Sequence, residues 1–385
     1  MKRGVPSFGS MTSSPILQSG LGPIRARHYL PVSGGTALWG RLPCERDAPV
    51  LTIDPGDEVT IDTVSHEGIL EDQGRDPLAF FAKHGIFGYE HILGDAVDLA
   101  KSFEDRDPSV DGPHVVTGPI HVRGARPGDL LKMTVVETLP RVPYGIISNR
   151  HGRGALPGEF PRQPGTVSVF AALDPAASGN EDWTESKYAA MAPSDGAARS
   201  VRFPIAPFLG IMGVAAAGDE RPHSVPPGAY GGNLDINLLT AGSSLYLPVQ
   251  VPGALAYVGD PHFAQGDGEV ALTALEASLR ATVRFDVLDE AAAVERFGRL
   301  AGALAETTDY LIPTGLDPDL DEAMRRCVRA AISLLQARFG MDPEHALAYL
   351  SAATDFNISQ VVDRVTGVHA RIRLADFGSV GVFHA

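Results

Sequence analysis

The hydrophobic pattern of this chain changes its period once. In LRATVRFDV (279–287) apolar and polar residues alternate, which is typical of a strand with one buried face. Beyond it, segments 289–306 and 319–340 carry apolar residues at helical spacing, and Asp342 followed by Pro343 predicts the start of a further helix. We therefore predict an α+β fold, in which mostly antiparallel sheets form a sandwich and helices gather toward the C-terminus.

Turn residues divide the β-rich part of the chain. The tripeptide Pro-Gly-Asp precedes alternating runs at 54–64 and 126–136, where it favours a type II turn leading into a strand. We predict four parts: a flexible N-terminal segment (1–26), a β-rich domain with a glycine-rich lid (27–200, lid 145–200), a β-rich core with a metal site (201–288) and a helical part packed on the sheets (289–385).

The overall charge limits the partners of the chain. Its formal net charge of −15 argues against a surface for nucleic acid. No apolar run reaches the length of about 18 residues that a membrane span needs, and the N-terminus lacks the apolar stretch of a signal peptide. With only two cysteines and no C-x-x-C pair, the chain fits a reducing compartment, and we expect it in the cytoplasm.

One short stretch, VGDPHFAQGDGE, concentrates groups that bind metals or carry protons: Asp260, His262, Asp267 and Glu269. Residues two apart on an extended backbone point to the same face, so each pair shares a face. Pro261 has no N–H to give to a neighbouring strand, which predicts a sheet edge or a strand end here. The two glycines of the stretch allow the second pair to fold back toward the first.

Carboxylates that converge without a lysine or arginine nearby would repel one another. A divalent cation relieves this repulsion, and the mixed nitrogen and oxygen ligands favour zinc, with manganese, magnesium and calcium as alternatives. A second pair, Asn233 and Asp235, lies upstream after two glycines. It either joins the same site or forms an Asn/Gly turn whose aspartate bonds backbone amides.

Several blocks of the sequence resemble, in order and spacing, those of the acetamidase/formamidase family. They read GPIHVRGARPGDLL, APFLGIMGVA, PPGAYGGNLD, LYLPVQVPGAL and VGDPHFAQGDGEVALTALE, and are dense from about residue 115 to 287. The resemblance implies a metal-containing, β-rich and oligomeric enzyme, a homodimer or higher homo-oligomer, that hydrolyses small amides to carboxylic acid and ammonia. Nucleophilic serine chemistry is not indicated, because no Gly-x-Ser-x-Gly elbow occurs.

The resemblance also carries over individual residues. The residues that match family blocks are Asn233, Asp235, Asp260, His262, Gln265, Asp267 and Glu269. His114 lies near a further block but at a different spacing from its Gly-Pro. His66 and Glu67 lie in a segment with no clear counterpart, where they either add ligands and shape the substrate pocket or form a solvated turn around a glycine.

We expect a metal-activated water to attack a linear carboxamide. As ligands we favour Asp235, Asp260 and His262, with Glu269 as the general base and Asp267 as a second catalytic carboxylate; ligand and base are interchangeable among the four acids. Asn233, Gln265, His114 and His66 are expected to contact substrate or to orient the ligands. Alternatives are hydrolysis of a larger or cyclic amide or of a lactone, and a β-rich protein that binds metal without catalysis.

Overall fold

A computed structural model describes residues 14–104, 106–194, 196–197 and 199–378. In these residues the chain forms two large sheets and five α-helices, and the predicted α+β class is confirmed. Of the segment predicted to be flexible, residues 1–13 lie outside the described residues.

The rest of that segment is wrongly predicted as flexible. Residues 14–26 lie against the sheets, where Ile16 is buried and the backbone N–H of Leu17 donates to the carbonyl of Arg141 at 2.8 Å. The segment therefore forms a largely exposed strap that is anchored to the sheets at several points, among them the carbonyls of Gln18 and Leu21, which accept from Arg280. Local composition gives no sign of it, since the partners come from distant strands.

The strands are numbered in chain order: β1 (His28–Leu30), β2 (Ala37–Trp39), β3 (Leu51–Ile53), β4 (Glu58–Asp62), β5 (Val115–Val122), β6 (Leu130–Pro140), β7 (Tyr144–Arg150), β8 (Thr166–Leu173), β9 (Tyr188–Met191), β10 (Val201–Pro204), β11 (Phe208–Gly213), β12 (Gly231–Asn233), β13 (Ser244–Pro248), β14 (Ala256–Ala264), β15 (Leu275–Glu276), β16 (Leu279–Leu288), β17 (Leu304–Glu306), β18 (Tyr310–Asp317), β19 (Asp355–Gln360) and β20 (Thr366–Arg373). The helices are α1 (Pro77–Ala82), α2 (Gly94–Ser102), α3 (Glu290–Phe297), α4 (Leu320–Phe339) and α5 (Pro343–Ala353).

The strands form two sheets. One has nine strands in the order β1-β4-β16-β6-β13-β17-β18-β20-β19. The other has eleven, with the path β10-β9-β8-β7-β15-β14-β11-β12, and β5 joins it beside β14 together with β2 and β3. Only β1–β4 and β3–β5 pair in parallel, so the predicted antiparallel character is confirmed for the described strands.

The main hydrophobic core lies between the two sheets. It takes apolar side chains from β4, β6, β13 and β16 of the first sheet and from β5, β11 and β14 of the second. Alternation along β16 supplies Ala281, Val283 and Phe285, all with no exposed surface. The Pro-Gly-Asp turns precede β4 and β6 as predicted, and Gly56 and Gly128 adopt positive φ there.

The C-terminal part departs from the predicted helical character in two ways. The segment 289–306 does not form one helix, because α3 ends before Gly298 (φ 72°), and β17 follows. Four strands, β17 to β20, lie in the part predicted to be helical. Helix α4 matches the prediction, with Asp319 as N-cap and Gly340 in the left-handed conformation at its end.

The glycine-rich segment 145–200 is also more ordered than a lid. It contributes β7, β8 and β9 to the second sheet, and among the described residues the irregular character predicted for the whole is limited to the connections between and after these strands. The helices α1 and α2, which the sequence reading did not identify, pack on the other side of this sheet over a separate core that includes Phe80, Leu99 and Ile146.

Strand β16 buries one charged residue that its alternation assigned to solvent. Arg280 is 1% exposed and pairs with Asp62 of β4, Nε to Oδ1 at 2.6 Å. Beside it, Arg141 pairs with Asp95 of α2 at 2.6 Å. We call these four residues the arginine–aspartate network; it ties the first sheet to α2 and to the N-terminal strap.

Among the described residues, every helix is too short or too polar to cross a bilayer. The cytoplasmic location and the homo-oligomeric assembly stay predictions.

Candidate functional site

Strand β14 carries Asp260 and His262, the first pair of the VGDPHFAQGDGE stretch. Asp260 and His262 lie on the same side, with His262 Nε2 3.1 Å from Asp260 Oδ2. The prediction of a sheet edge at Pro261 is wrong, because β14 lies inside the sheet between β11 on one side and β5 and β15 on the other. The missing N–H is tolerated since Pro261 stands where the neighbour changes from β5 to β15.

A glycine on the facing strand makes room for these side chains. Gly210 of β11 lies between residues that pair with Pro261 and Gly259, so it is opposite Asp260. A Cβ atom on Gly210 would come within 2.5 Å of Asp235 Oδ1 and 2.6 Å of Asp260 Oδ2. The backbone here therefore forms a cradle around polar atoms that a larger residue would fill.

The upstream pair, Asn233 and Asp235, belongs to the same site as Asp260 and His262. Strand β12 pairs with β11, and the backbone N–H of Asp235, just after β12, donates to the carbonyl of Gly210 at 3.2 Å. This brings the Asp235 carboxylate to the cradle, where the alternative of an isolated Asn/Gly turn would leave it among backbone amides. Its two oxygens are instead buried without a hydrogen-bond partner.

Three acids of the site have a strained backbone. Asp235, Asp260 and Glu269 adopt φ values of 49°, 50° and 46°, a left-handed conformation that residues with a Cβ rarely adopt. Such strain persists only where the surroundings impose it, and it concentrates at functional sites. Here it turns all three carboxylates toward one point, as the glycine-flanked GDG turn predicted for Glu269.

Two histidines from outside these strands complete the group. His66 follows β4, and its Nδ1 lies 3.4 Å from Asp260 Oδ1. His114 precedes β5; its Nδ1 meets the Ser224 hydroxyl at 3.1 Å, which leaves Nε2 facing Asp260 Oδ1 at 3.9 Å. The alternative of a solvated turn at His66 is wrong, because its side chain is 3% exposed.

Two further carboxylates lie here that the sequence reading missed. Glu276 of β15 has Oε1 3.1 Å from His262 Nε2, and Asp363 of the β19–β20 connection contacts Asp235. Glu276 ends the same quoted block and could have been found by its nearness to it, but nothing in the sequence links Asp363 to residues more than 90 positions away. We call the group the cleft cluster; its members are His66, His114, Asp235, Asp260, His262, Glu269, Glu276 and Asp363.

The cluster contains many buried polar atoms without a partner. Neither ring nitrogen of His262 forms a well-directed hydrogen bond, and the same holds for single oxygens of Asp260, Glu269, Glu276 and Asp363. A buried polar atom without a partner costs about 1–3 kcal/mol. So many together indicate that a ligand belongs in this place.

The pKa values follow from burial and crowding. Burial, and then the neighbouring carboxylates, raise the pKa of Asp235 and of Glu269 well above the usual range. Burial and nearby acids also raise the pKa of Asp363 to about 7. Burial lowers the pKa of His66, but Glu276, Asp260 and Glu67 outweigh it and raise the pKa to about 10. The cluster thus holds protons that an added cation would displace.

The donor set fits a divalent metal ion. Three triads have ligand atoms within 4.8 Å of one another: His66, His114 and Asp260; Asp235, His262 and Glu269; and Asp260, His262 and Glu276. Imidazole nitrogens with carboxylate oxygens suit zinc and related ions, and the free atoms and the cradle at Gly210 leave space among them.

Other residues named from the sequence lie around the cluster. Asp267 is exposed, and the side-chain amides of Asn237 and Asn357 donate to it at 3.0 and 2.6 Å, so it is not brought to the cluster. Gly266, the residue before Asp267, is exposed as well. The turn directs Glu269 inward and Asp267 outward. Gln265 donates to the backbone carbonyl of Asp235 at 2.8 Å and so holds that residue in position.

The cluster forms the floor of a cleft of about 660 Å³. Asn233, Glu269, His66 and His114 line it, whereas Asp235 and His262 lie behind its wall. The Asn233 carboxamide has no hydrogen-bond partner in the described part of the chain. Asp260, Glu276 and Asp363 line the cleft as well. An ion held between these acids and the deeper Asp235 and His262 would therefore face a small molecule in the cleft.

Comparison with known proteins agrees with the blocks noted in the sequence. A model of the acetamidase/formamidase family matches residues 89–222 and 216–374. A formamidase of Methylophilus methylotrophus is 26% identical over 309 residues, which cover 67% of this chain and 75% of the formamidase. An acetamidase of Mycolicibacterium smegmatis is 30% identical over 213 residues, 43% of this chain and 51% of the acetamidase.

Solved structures show the same fold. The acetamidase of Bacillus halodurans superposes with a TM-score of 0.68 at 25% identity, over 92% of this chain and all of the other. An acetamidase from Yersinia enterocolitica gives the same TM-score at 23% identity, over 94% of this chain and 96% of its own.

Proposed function

This chain belongs to the acetamidase/formamidase family, and from that premise we propose that it hydrolyses a linear carboxamide to a carboxylate and ammonia at the cleft cluster, with a divalent metal ion, zinc being favoured. One observation supports the site above all others. The buried, unpartnered donor atoms of the cluster converge at the floor of a cleft that is open to a small molecule.

Asp235, Asp260 and His262 would hold the ion, joined by Glu276, whose Oε1 lies 3.1 Å from His262 Nε2. When bound, such an ion supplies Lewis acidity, which lowers the pKa of water and polarises a carbonyl oxygen. Gln265 and the backbone of Gly210 keep Asp235 in place. The Ser224 hydroxyl bonds to Nδ1 of His114 and so fixes the orientation of that ring.

Glu269 is the general base of this proposal. It lines the cleft, and burial followed by the neighbouring carboxylates raises its pKa well above the usual range, the direction that favours a group which both accepts and returns a proton. Glu269 takes a proton from the attacking water as the carbon–oxygen bond forms. It delivers that proton to the amide nitrogen as the carbon–nitrogen bond breaks, and ammonia leaves.

Asn233 orients the substrate. Its side-chain amide lines the cleft, with Oδ1 buried and without a partner. In this proposal Nδ2 donates to the carbonyl oxygen, on which negative charge develops during attack. Asp267, which the sequence suggested as a second catalytic carboxylate, has no part in this proposal because it is exposed and bonded to two asparagines.

The test measures ammonia released from formamide, acetamide, propionamide and larger amides by purified protein. Metal content is measured in parallel, before and after chelation and after adding zinc back. We expect activity that disappears on chelation and returns with zinc. Full activity in protein shown to contain no metal would refute the metal requirement, and no ammonia from any amide would refute the proposed function.

The Glu269→Gln variant assigns the base. We expect kcat to fall by about 10²–10⁴-fold, which is what a general base contributes, with bound metal nearly unchanged. Glu295→Gln, at an exposed position on α3, is the matched control and should keep full activity. Loss of the metal in Glu269→Gln would make Glu269 a ligand, and retained activity would place the base elsewhere.

A further inference from the structure

Two arginines on the wall of the cleft have no protein partner. Arg153 lies in the β7–β8 connection and Arg364 in the β19–β20 connection, and both line the same cleft as Glu269. Both are exposed, and in the described part of the chain neither guanidinium forms an ion pair or a hydrogen bond. They are therefore free to bind a molecule that enters the cleft.

Both connections are hydrogen-bonded to the turn that carries Glu269. On one side the N–H of Ala155 donates to the carbonyl of Val270 at 2.9 Å. On the other, the N–H of Val361 donates to the carbonyl of Gly268 at 3.2 Å. The two arginines thus project from loops that are fixed on either side of the catalytic base.

The other two arginines of the cleft are already used. Arg106 pairs with Glu71, and Arg150 pairs with Asp72 at 2.7 Å and with Glu67 at 3.0 Å. These ion pairs stabilise the wall of the cleft, and the carboxylates neutralise the charge of the two arginines. The difference matters because an unpaired guanidinium presents its full fork of donors, whose geometry matches a carboxylate.

Arg153 and Arg364 place positive charge on an acidic protein, because the acids Glu71, Asp72 and Asp111 of the cleft wall pair with other arginines. With a net charge of −15, the molecule repels anions in general. At the half-buried His223, however, burial and then the positive charges of Arg364 and Arg41 lower the pKa to about 4, with a further contribution from Arg153. Arg153 and Arg364 are therefore the unpaired positive charges of the cleft wall, and they would attract an anion to it.

We infer that the substrate is a carboxamide with a carboxylate at its far end, and that Arg153 and Arg364 bind this carboxylate while the amide reaches the cleft cluster. The inference rests on the proposed function and narrows its substrate class. It also accounts for the cleft volume of about 660 Å³, which exceeds what formamide or acetamide would fill.

The test compares two amides of the same shape and different charge. Succinamate carries a carboxylate where 4-methylpentanamide carries an isopropyl group. We expect kcat/KM for succinamate to exceed that for the neutral amide by at least about tenfold, and Arg153→Ala and Arg364→Ala each to lower it by about 10- to 100-fold, the usual worth of a hydrogen bond to a charged group. The neutral amide should react equally in all variants.

Arg27→Ala is the matched control, since Arg27 is exposed and lies outside the cleft. If the neutral amide is hydrolysed as well as succinamate, or both arginine variants keep the preference, the inference is refuted while the proposed function stands. If the variants lose both activities together, the arginines merely offset the charge of the cluster, and the inference is again refuted. No hydrolysis of either amide refutes the proposed function and the inference with it.

Discussion

The protein buries two groups of ionisable residues, and they are built in opposite ways. In the arginine–aspartate network two cations face two anions, and every guanidinium nitrogen of Arg141 and Arg280 has a partner. In the cleft cluster five carboxylates face three imidazoles, and nine of the side-chain atoms lack a partner. The network leaves one such atom, Asp95 Oδ1. Because an unpartnered buried polar atom is costly, the second group, where many lie together, is the one that requires something further to bind to it.

Backbone conformation separates the two groups as well. The network residues lie on strands, on α2 and, for Arg141, in the connection just after β6, and none of them has a positive φ. Three acids of the cleft cluster have one. The comparison indicates that burial of charge alone does not mark a functional site. Burial without satisfied partners, combined with backbone strain, does so.

The largest expected effect breaks the network. Arg280→Met leaves Asp62 buried without its bidentate partner, and we expect the free energy of unfolding to fall by about 3–5 kcal/mol. The measurement is urea denaturation followed by circular dichroism. Metal content per folded molecule should stay the same, because the network does not contact the cluster ligands.

The matched control is Arg284→Met on the same strand. Arg284 has a 42% exposed side chain and pairs with Asp286 at 3.3 Å, so we expect a change of no more than about 1 kcal/mol. An equal loss in the two variants would contradict the structural role of the network.

The sequence predicted the positions of strands and helices better than it predicted which charged residues are buried. Period 2 and period 3.6 patterns located β4, β6 and β16 of the core and helix α4, and the spacing of Asp260 and His262 placed them on one face. The same alternation wrongly assigned Arg280 to solvent, since a strand pattern does not say whether its polar face is covered.

The site was predictable where its residues share one block of sequence. Asp260, His262 and Glu269 lie within ten positions, and a shared glycine-rich turn brings them together. Glu276 and Asp363 were missed because their place depends on strand order and on the hairpin of β19 and β20. Asp267 was wrongly grouped with Glu269, because Glu269 has a positive φ that turns it away from the direction of a regular strand.

Substituting a buried charged residue of the cleft cluster should stabilise the metal-free protein, whereas the substitution in the network destabilises the protein. Burial and then Glu269 raise the pKa of Asp235, so the folded metal-free protein keeps a proton that the unfolded chain releases above about pH 4. Stability of the metal-free protein is therefore lost as the pH rises through the folded pKa. In the presence of chelator we expect Asp235→Asn to raise the free energy of unfolding by about 1–3 kcal/mol at pH 8 and by less at pH 5.

Urea denaturation across this pH range measures the gain, and metal binding by the variant should be weakened in parallel. Asp267→Asn is the control, because Asp267 is exposed and already bonded. A loss of stability in metal-free Asp235→Asn would show that the cluster is satisfied without an ion, as the network is.

The smallest expected effect concerns His369, which combines a satisfied atom, as in the network, with an unpartnered atom, as in the cleft cluster. It is fully buried, its Nδ1 meets the Ser359 hydroxyl at 2.8 Å, and its Nε2 has no partner. Burial lowers its pKa to about 4, so the unfolded chain binds a proton below about pH 6.5 before the folded protein does, and stability falls as the pH drops from 6.5 toward 4. We expect His369→Gln to reduce the loss between pH 8 and pH 5.5 by about 1 kcal/mol, with unchanged metal content and activity at pH 8. If activity or metal binding also falls, the boundary of the cleft cluster extends to His369, because a group that acts only on folding would leave both unchanged.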